Sequence, residues 1–182
     1  MKIATIGRGN VGGGLAKRWR EAGHEVTELG SDGGDVSGVD AVLVAIPSKG
    51  IAEAFTKVTG IGDAVVIDAT NAFTGRTEGF ESLAHEVKSH VGGPVAKSFN
   101  CNYAALYDEI GSQRVPPGNL YAAEEGAVEV TEQLSRDAGY EPVSAGGLEN
   151  ARLLEDHLLL MNAINNGGLG RFFYRDAEPG KL

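Results

Sequence analysis

The chain has 182 residues, 42% hydrophobic and 23% charged, with a formal net charge of −9. This composition describes one globular domain with at most an appendage, and the negative charge argues against nucleic acid or an anionic membrane surface as a general partner. Cys101 is the only cysteine, which excludes an internal disulfide and a Cys-rich metal site and points to a reduced, cytoplasmic setting.

In chain order, "KIATIG" reads as a buried strand ending in glycine. "NVGGGLAKRWREAG" follows as a helix. Its Val11, Leu15 and Trp19 share one face, and Gly23 ends it. "HEVTEL" alternates and is the second strand. The next stretch, "ELGSDGGDVSGVD" (28–40), lies where many nucleotide-binding proteins carry an amphipathic helix, but holds four glycines and three aspartates. "DAVLVAIP" is apolar throughout, as in a parallel sheet covered on both faces. "GIAEAFTKV", "DAVVIDAT", "GFESLAHEVKSH" and "PVAKSFN" then alternate helix and strand. "NYAALYDEI" is a helix or turn. "NLYAAE", "GAVEVTEQLSRDAG" and "YEPVSAG" add strand, helix and strand. "LENARLLEDHLLLMNAINN" is the longest helix, stopping at Gly167 and Gly168. Short-linked alternation of this kind predicts an α/β, Rossmann-type doubly wound, mainly parallel sheet over residues 1–146. A C-terminal helix and tail, 147–182, form the appendage. No run approaches the length of a membrane helix, and the start of the chain does not read as a signal peptide.

Gly7, Gly9 and Gly12 stand in G-x-G-x-x-G spacing between a strand and a helix, the context that gives this pattern meaning. The first glycine allows a tight turn, the second lets backbone approach a pyrophosphate, and the third lets helix and strand pack closely. An acidic protein can still bind phosphate there, because a helix N-terminus needs no net positive charge. Further ligand contacts are expected where strands end: Ala45, Ile46 and Pro47, then Thr70 and Asn71, then Asn100. His24, His85 and His90 read as structural or solvated, His157 as packed or interfacial, and Cys101 lacks the neighbouring base a nucleophile needs. The sequence displays no acid–base or nucleophilic constellation.

The blocks "MKIATIGRGNVGGGLAKRWREAGHEV", "VLVAIP", "VVIDATNAF", "VAKSFN" and "GGLENARLLEDHLLLMNA" together resemble the deazaflavin-dependent NADP oxidoreductases, which pass a hydride between NADP(H) and coenzyme F420. The resemblance runs over nearly the whole chain. It implies that Gly9, Asn10, Val11 and Gly12 hold the pyrophosphate, that Ile46 and Pro47 line the cofactor, and that Asn71 lies towards its nicotinamide half. It also implies a homodimer, with the C-terminal helix closing over the second ligand. Hydride transfer between stacked rings needs no acid or base, which agrees with the missing constellation. The chain departs from the family after its second strand, where Ser31-Asp32 replaces a basic stretch. "GRGNVG" also resembles pyrroline-carboxylate reductases, so a reductase of a small imine or keto acid is the alternative, and a non-catalytic dinucleotide-binding module the third reading.

The cofactor's identity turns on two residues. Asp32 lies 20 residues after Gly12, where an acidic side chain binds the 2′-hydroxyl of NAD. Arg8 ends the first strand beside the end of the second, and with Ser31 it could hold the 2′-phosphate of NADP. The expectation is NADP, with NAD as alternative, a flexible glycine loop, and Asp32 turned outward unless it simply pairs with Arg8. Leu153, Leu154, Leu158, Leu159, Leu160 and Met161 surround most of the last helix, which predicts its burial in a dimer.

Overall fold

The computed structural model describes residues 1–180. Its main sheet has seven strands: β1 (Lys2–Ile6), β2 (Glu25–Leu29), β4 (Ala41–Val44), β6 (Val65–Asp68), β7 (Val95–Ser98), β8 (Gly118–Ala123) and β9 (Glu141–Ser144). Their order is β2-β1-β4-β6-β7-β8-β9. All pairs are parallel except β7 with β8, where Ala96 faces Ala123. The doubly wound, mainly parallel sheet expected from the alternating pattern is therefore present. The central strands β4, β6 and β7 are buried at every position, as their unbroken apolar runs require.

Helices cover both faces. On one side α1 (Asn10–Glu21) and α4 (Val128–Asp137) bury Leu15, Trp19 and Leu134 with Phe99 and Tyr140. Trp19 donates its indole N–H to the Leu134 carbonyl at 2.9 Å, so the largest core side chain leaves no orphan donor. On the other side α2 (Ile51–Lys57) and α3 (Leu83–Ser89) bury Ile51, Leu83 and Val87 against Ile6, Val42 and Val66. Gly23, at φ +93°, ends α1 in the left-handed conformation that glycine adopts without strain. The helix expected over 79–90 is shorter, because Ser82 is extended and caps α3 by accepting from the His85 N–H. Residues 104–112 form a 3₁₀ run, the turn that the pattern left open.

The stretch 30–40 is the principal correction. It carries no helix, as its composition dictates, yet it is not a loose loop. Gly34–Asp35 forms a short strand, β3, parallel to β5 (Val58–Thr59). The Val36 N–H donates to the Thr59 carbonyl at 2.9 Å, and the Val36 side chain is buried with Leu29 and Val58. Asp35 Oδ1 accepts from the Ser37 and Thr59 hydroxyls, which hold its carboxyl below the usual range. One buried valine and a two-residue ladder thus do the covering that a helix would otherwise do.

The C-terminal helix α5 (Ala151–Ile164) continues into a π-helical turn at Asn165–Leu169, where Gly168 has φ +114°. Leu154 and Met161 pack with Cys101 and Ala122, and Leu158 is buried as well. The expectation that all six apolar residues are buried fails for this chain alone: Leu153, Leu159 and Leu160 are 63%, 63% and 56% exposed. Fourteen residues wound at 3.6 per turn can press only one face on the sheet, here against β7 and β8. Among the described residues, no helix is long and apolar enough to cross a membrane.

Candidate functional site

The strand order reverses at β1, which is flanked by β2 and β4, and ligands of open α/β sheets bind beyond the strand ends at such a point. A cleft of about 360 Å³ opens there. Its walls come from the β1–α1 turn, the exit of β2, the exit of β4 and one side of α2. Gly7, Arg8, Ser31, Ile46 and Pro47, all singled out in the sequence, line it.

The three glycines of the turn are glycine for different reasons. Gly7 has φ +104°, and a Cβ on it would lie 2.3 Å from the Ala45 carbonyl oxygen. A Cβ on Gly12 would lie 1.9 Å from the Gly7 carbonyl oxygen and 3.4 Å from the Ala45 methyl. Both positions are compelled by the packing of α1 on β1 and β4, and Ala45 supplies the small side chain that packing needs. At Gly9 a Cβ would meet nothing within 4 Å, and φ is −78°, an ordinary value for any residue. Nothing among the described residues requires glycine there. Gly9 is also the N-cap of α1, which has neither a side-chain cap nor an acidic residue in its first turn. The first N–H groups of that helix, at Asn10, Val11 and Gly12, have no intrahelical carbonyl, although these residues lie outside the cleft lining. Backbone donors, the helix dipole and an unobstructed approach make this turn competent to bind a phosphate.

At the far end of the cleft, the guanidinium of Arg8 lies over Gly30, where a Cβ would be 3.2 Å from Nε, Cζ and Nη2. Arg8 and Asp32 form no ion pair among the described residues, and Asp32 is exposed. The pairing of these two side chains is therefore not the reason for Arg8. Two charged residues of α2 that sequence reasoning passed over also face the cleft, Glu53 and Lys57. Lys57 Nζ lies 2.7 Å from Glu53 Oε1 and donates to the Ser31 carbonyl at 3.2 Å. The ammonium holds the Glu53 carboxyl below the usual carboxylate range, first through the hydrogen bond and then through charge. Their i,i+4 spacing in "EAFTK" was the available signal.

Asn71 and Asn100 do not line this cleft. They meet further along, at the exits of β6 and β7. The Asn71 amide donates to the Asn100 carbonyl at 3.0 Å, and the Asn100 amide donates to Asn71 Oδ1 at 3.1 Å and to the Leu154 carbonyl at 3.0 Å. Asn71 is half-buried, whereas Asn100 is buried and its Oδ1 has no hydrogen-bond partner among the described residues. Phe99, at φ +60°, turns the chain so that Asn100 reaches Asn71. A buried aromatic residue in that conformation is strained, and its surroundings must hold it there.

Beneath this pair lies an ionic network absent from the sequence reading. Lys97 Nζ donates to Asp68 Oδ2 at 2.8 Å and to the Thr70 carbonyl at 2.6 Å, and lies 3.3 Å from Glu155 Oε1. All three charged side chains are fully buried. Arg76 spans Glu155 and Asp156 at 2.6 Å each, and Glu155 also accepts from the Leu83 N–H at 2.8 Å. The network ties α5 to the carboxyl edge of the sheet. Its sequence signal was a charge inside each of three apolar runs, "VVID", "VAKS" and "LLED".

The remaining candidates are structural. His24 Nε2 lies 2.7 Å from Asp137 Oδ2, His85 Nδ1 lies 2.7 Å from the Ser82 hydroxyl, His90 stacks on Phe55, and His157 meets the edge of Tyr174. The Cys101 thiol is buried, donates to the Leu154 carbonyl, and is pushed up to about 12 by burial, so it is no nucleophile at neutral pH.

No family model matches the chain, and no curated protein matches it. Among solved structures, it is similar to a proposed F420-dependent NADP reductase from Arthrobacter sp. FB24, at 20% identity and TM-score 0.79, over 98% of this chain and 100% of that one. A hypothetical protein from Sinorhizobium meliloti, SMa0349, aligns at 24% identity and TM-score 0.64, over 81% of this chain and 86% of its own. A reductive aminase from Aspergillus terreus, in complex with NADPH4, cyclohexanone and allyl amine, aligns at 13% identity and TM-score 0.65. That alignment covers 91% of this chain and 61% of the aminase. These likenesses establish a shared Rossmann-like fold.

Proposed function

We propose that this chain binds NADP(H) along the switch-point cleft and is an oxidoreductase whose hydride partner is the deazaflavin coenzyme F420. The observation that carries the nucleotide part is Gly9. It is the one glycine of the turn that the protein's own packing does not demand, and it stands where a pyrophosphate would lie. In this reading Gly9, Asn10, Val11 and Gly12 bind the pyrophosphate through backbone N–H groups. Ile46 and Pro47 supply the apolar wall of the cleft. Asn71, fixed from both ends of its amide by Asn100, orients the nicotinamide half. NADP supplies the hydride carrier and F420 the partner ring, so the protein's part is to hold both in register and keep water away.

Arg8 favours NADP over NAD. Its guanidinium lies at the exit of β2 without a carboxylate partner among the described residues, whereas Asp32 is exposed. F420 as the partner rests on the family-like blocks and on full-length similarity to the Arthrobacter protein, and is therefore an argument from likeness. We extend the proposal to a cytoplasmic homodimer. Leu153, Leu160 and Ile164 are spaced by seven and four residues, forming one exposed apolar stripe on α5 that a second copy would cover.

The test is spectroscopic. Reduced F420 mixed with NADP and the protein should generate absorbance at 340 nm. Binding of NADP without turnover would remove F420 from the proposal. An imine or keto-acid reductase is the second reading, favoured by the fold likeness to the reductive aminase, and NADPH oxidation with a keto or imino substrate would establish it. Absence of NADP binding would defeat both.

A further inference from the structure

The cleft carries three charged residues, Arg8, Glu53 and Lys57, so its lining is net positive by one charge within a chain of net −9. Both cations lie against the same short piece of backbone. Arg8 lies over Gly30, and Lys57 Nζ donates to the carbonyl of Ser31, the next residue. Gly30 and Ser31 are adjacent, so both cations reach the exit of β2, and both line the cleft there. There a dinucleotide seated on the glycine turn presents its adenosine ribose.

We infer that Lys57 is the second cation of a phosphate clamp. With Arg8 and the Ser31 hydroxyl it holds the phosphomonoester on that ribose, the 2′-phosphate of NADP, and it exchanges Glu53 for the phosphate as it does so. The inference rests on the dinucleotide reading above and deepens it. The segment after β2 would ordinarily provide such cations, but here residues 30–40 contain no lysine or arginine. The shortened segment instead brings the exit of β2 onto α2. Gly33 has φ +72°, and a Cβ on it would lie 2.2 Å from the Lys57 carbonyl oxygen and 2.6 Å from Lys57 Cβ. Only glycine permits so close an approach, and that approach places the last turn of α2 beside Ser31. The exposed Glu53–Lys57 pair, 71% and 40% accessible, is of the kind that contributes little and is easily exchanged. A phosphate dianion is a stronger acceptor for the same ammonium. Glu53, left without its partner, sets an upper limit on how tightly the phosphate is held.

Calorimetric titration with 2′,5′-ADP, 3′,5′-ADP and 5′-AMP tests this without any hydride chemistry. The wild type should prefer 2′,5′-ADP. Lys57→Met and Lys57→Gln, checked for native circular dichroism, should each lower the ratio of 2′,5′-ADP to 5′-AMP affinity about tenfold. Lys57→Arg should retain most of that ratio, which a purely structural tie to Ser31 would not require. Glu53→Gln should raise it about threefold, since one competing carboxylate is removed. If Arg8→Ala lowers the ratio but neither neutral Lys57 variant does, the inference falls and the dinucleotide reading stands. Tighter binding of the 3′,5′ isomer overturns the assignment to the 2′-phosphate. If the wild type binds none of the three nucleotides, the dinucleotide reading falls and takes the inference with it.

Discussion

The two ends of the crevice treat charge in opposite ways. At the exits of β6 and β7, Asp68, Lys97 and Glu155 are fully buried and bonded to one another and to backbone. At the exits of β1 and β2, Arg8 rests on a glycine without an ion-pair partner among the described residues, and Lys57 holds an exposed carboxylate and one carbonyl. Burial explains the contrast. A charge removed from water must be neutralised locally, so the network at β6 and β7 is complete in itself and holds α5 in place. A solvated cation carries no such demand and remains available to a ligand. Buried ion pairs here are architecture, and half-solvated ones are the candidates for recognition.

The largest expected effect breaks the buried side. Lys97→Met leaves Asp68 buried without a cation and Glu155 with Arg76 alone, and should destabilise the fold by about 3–5 kcal/mol, read as a lower urea midpoint. A neutral result would mean that the two carboxylates accommodate a shared proton, and the contrast would lose its basis. On the solvated side, Arg8→Ala should leave that midpoint within about 0.5 kcal/mol. It should weaken NADP relative to NAD by about 1.5–3 kcal/mol, the value of a charged hydrogen bond. Equal effects on both cofactors, or a wild type that prefers NAD, would place Arg8 elsewhere in the chemistry.

The glycine turn sharpens the comparison at one residue. Gly9→Val should fold normally, because a Cβ there meets nothing within 4 Å, yet weaken nucleotide binding by about 1–3 kcal/mol through overlap with the pyrophosphate. Unchanged affinity in a folded variant would sink the motif assignment. The smallest effect concerns the β3 segment. The Asp35 carboxylate is depressed by the hydroxyls of Ser37 and Thr59, so its contribution is present above the ordinary carboxylate range and is lost as pH falls through the lowered value. Hydrogen exchange at the Val36 N–H should accelerate on that acid side, and in Asp35→Asn at neutral pH. A rate insensitive to both would show that the ladder to Thr59 alone secures the segment.

The fold was largely legible in the sequence. Short apolar runs such as "VLVAIP" and "VVI", bounded by turn residues, read as strands covered on both faces, and the i, i+4, i+8 row of Val11, Leu15 and Trp19 reads as a helix packed on one. Gly7, Arg8, Ser31, Ile46 and Pro47 converge on the cleft because strand ends at a switch point are adjacent by topology, which the alternation of elements already implies. Three matters were decided only by the tertiary structure. The glycine segment is pinned by Val36 and a two-residue ladder, and no local pattern records a partner 24 residues away such as Thr59 for Asp35. The last helix hides Leu154, Leu158 and Met161 and exposes Leu153, Leu159 and Leu160, a division set by which face meets the sheet. Lys97 meets Asp68 and Glu155 across separations of 29 and 58 residues. Periodicity along a chain reports which side of an element is apolar, because that depends only on near neighbours. Which charges neutralise one another depends on strand order and on where a distant helix lands, and that is fixed only when the whole core has packed.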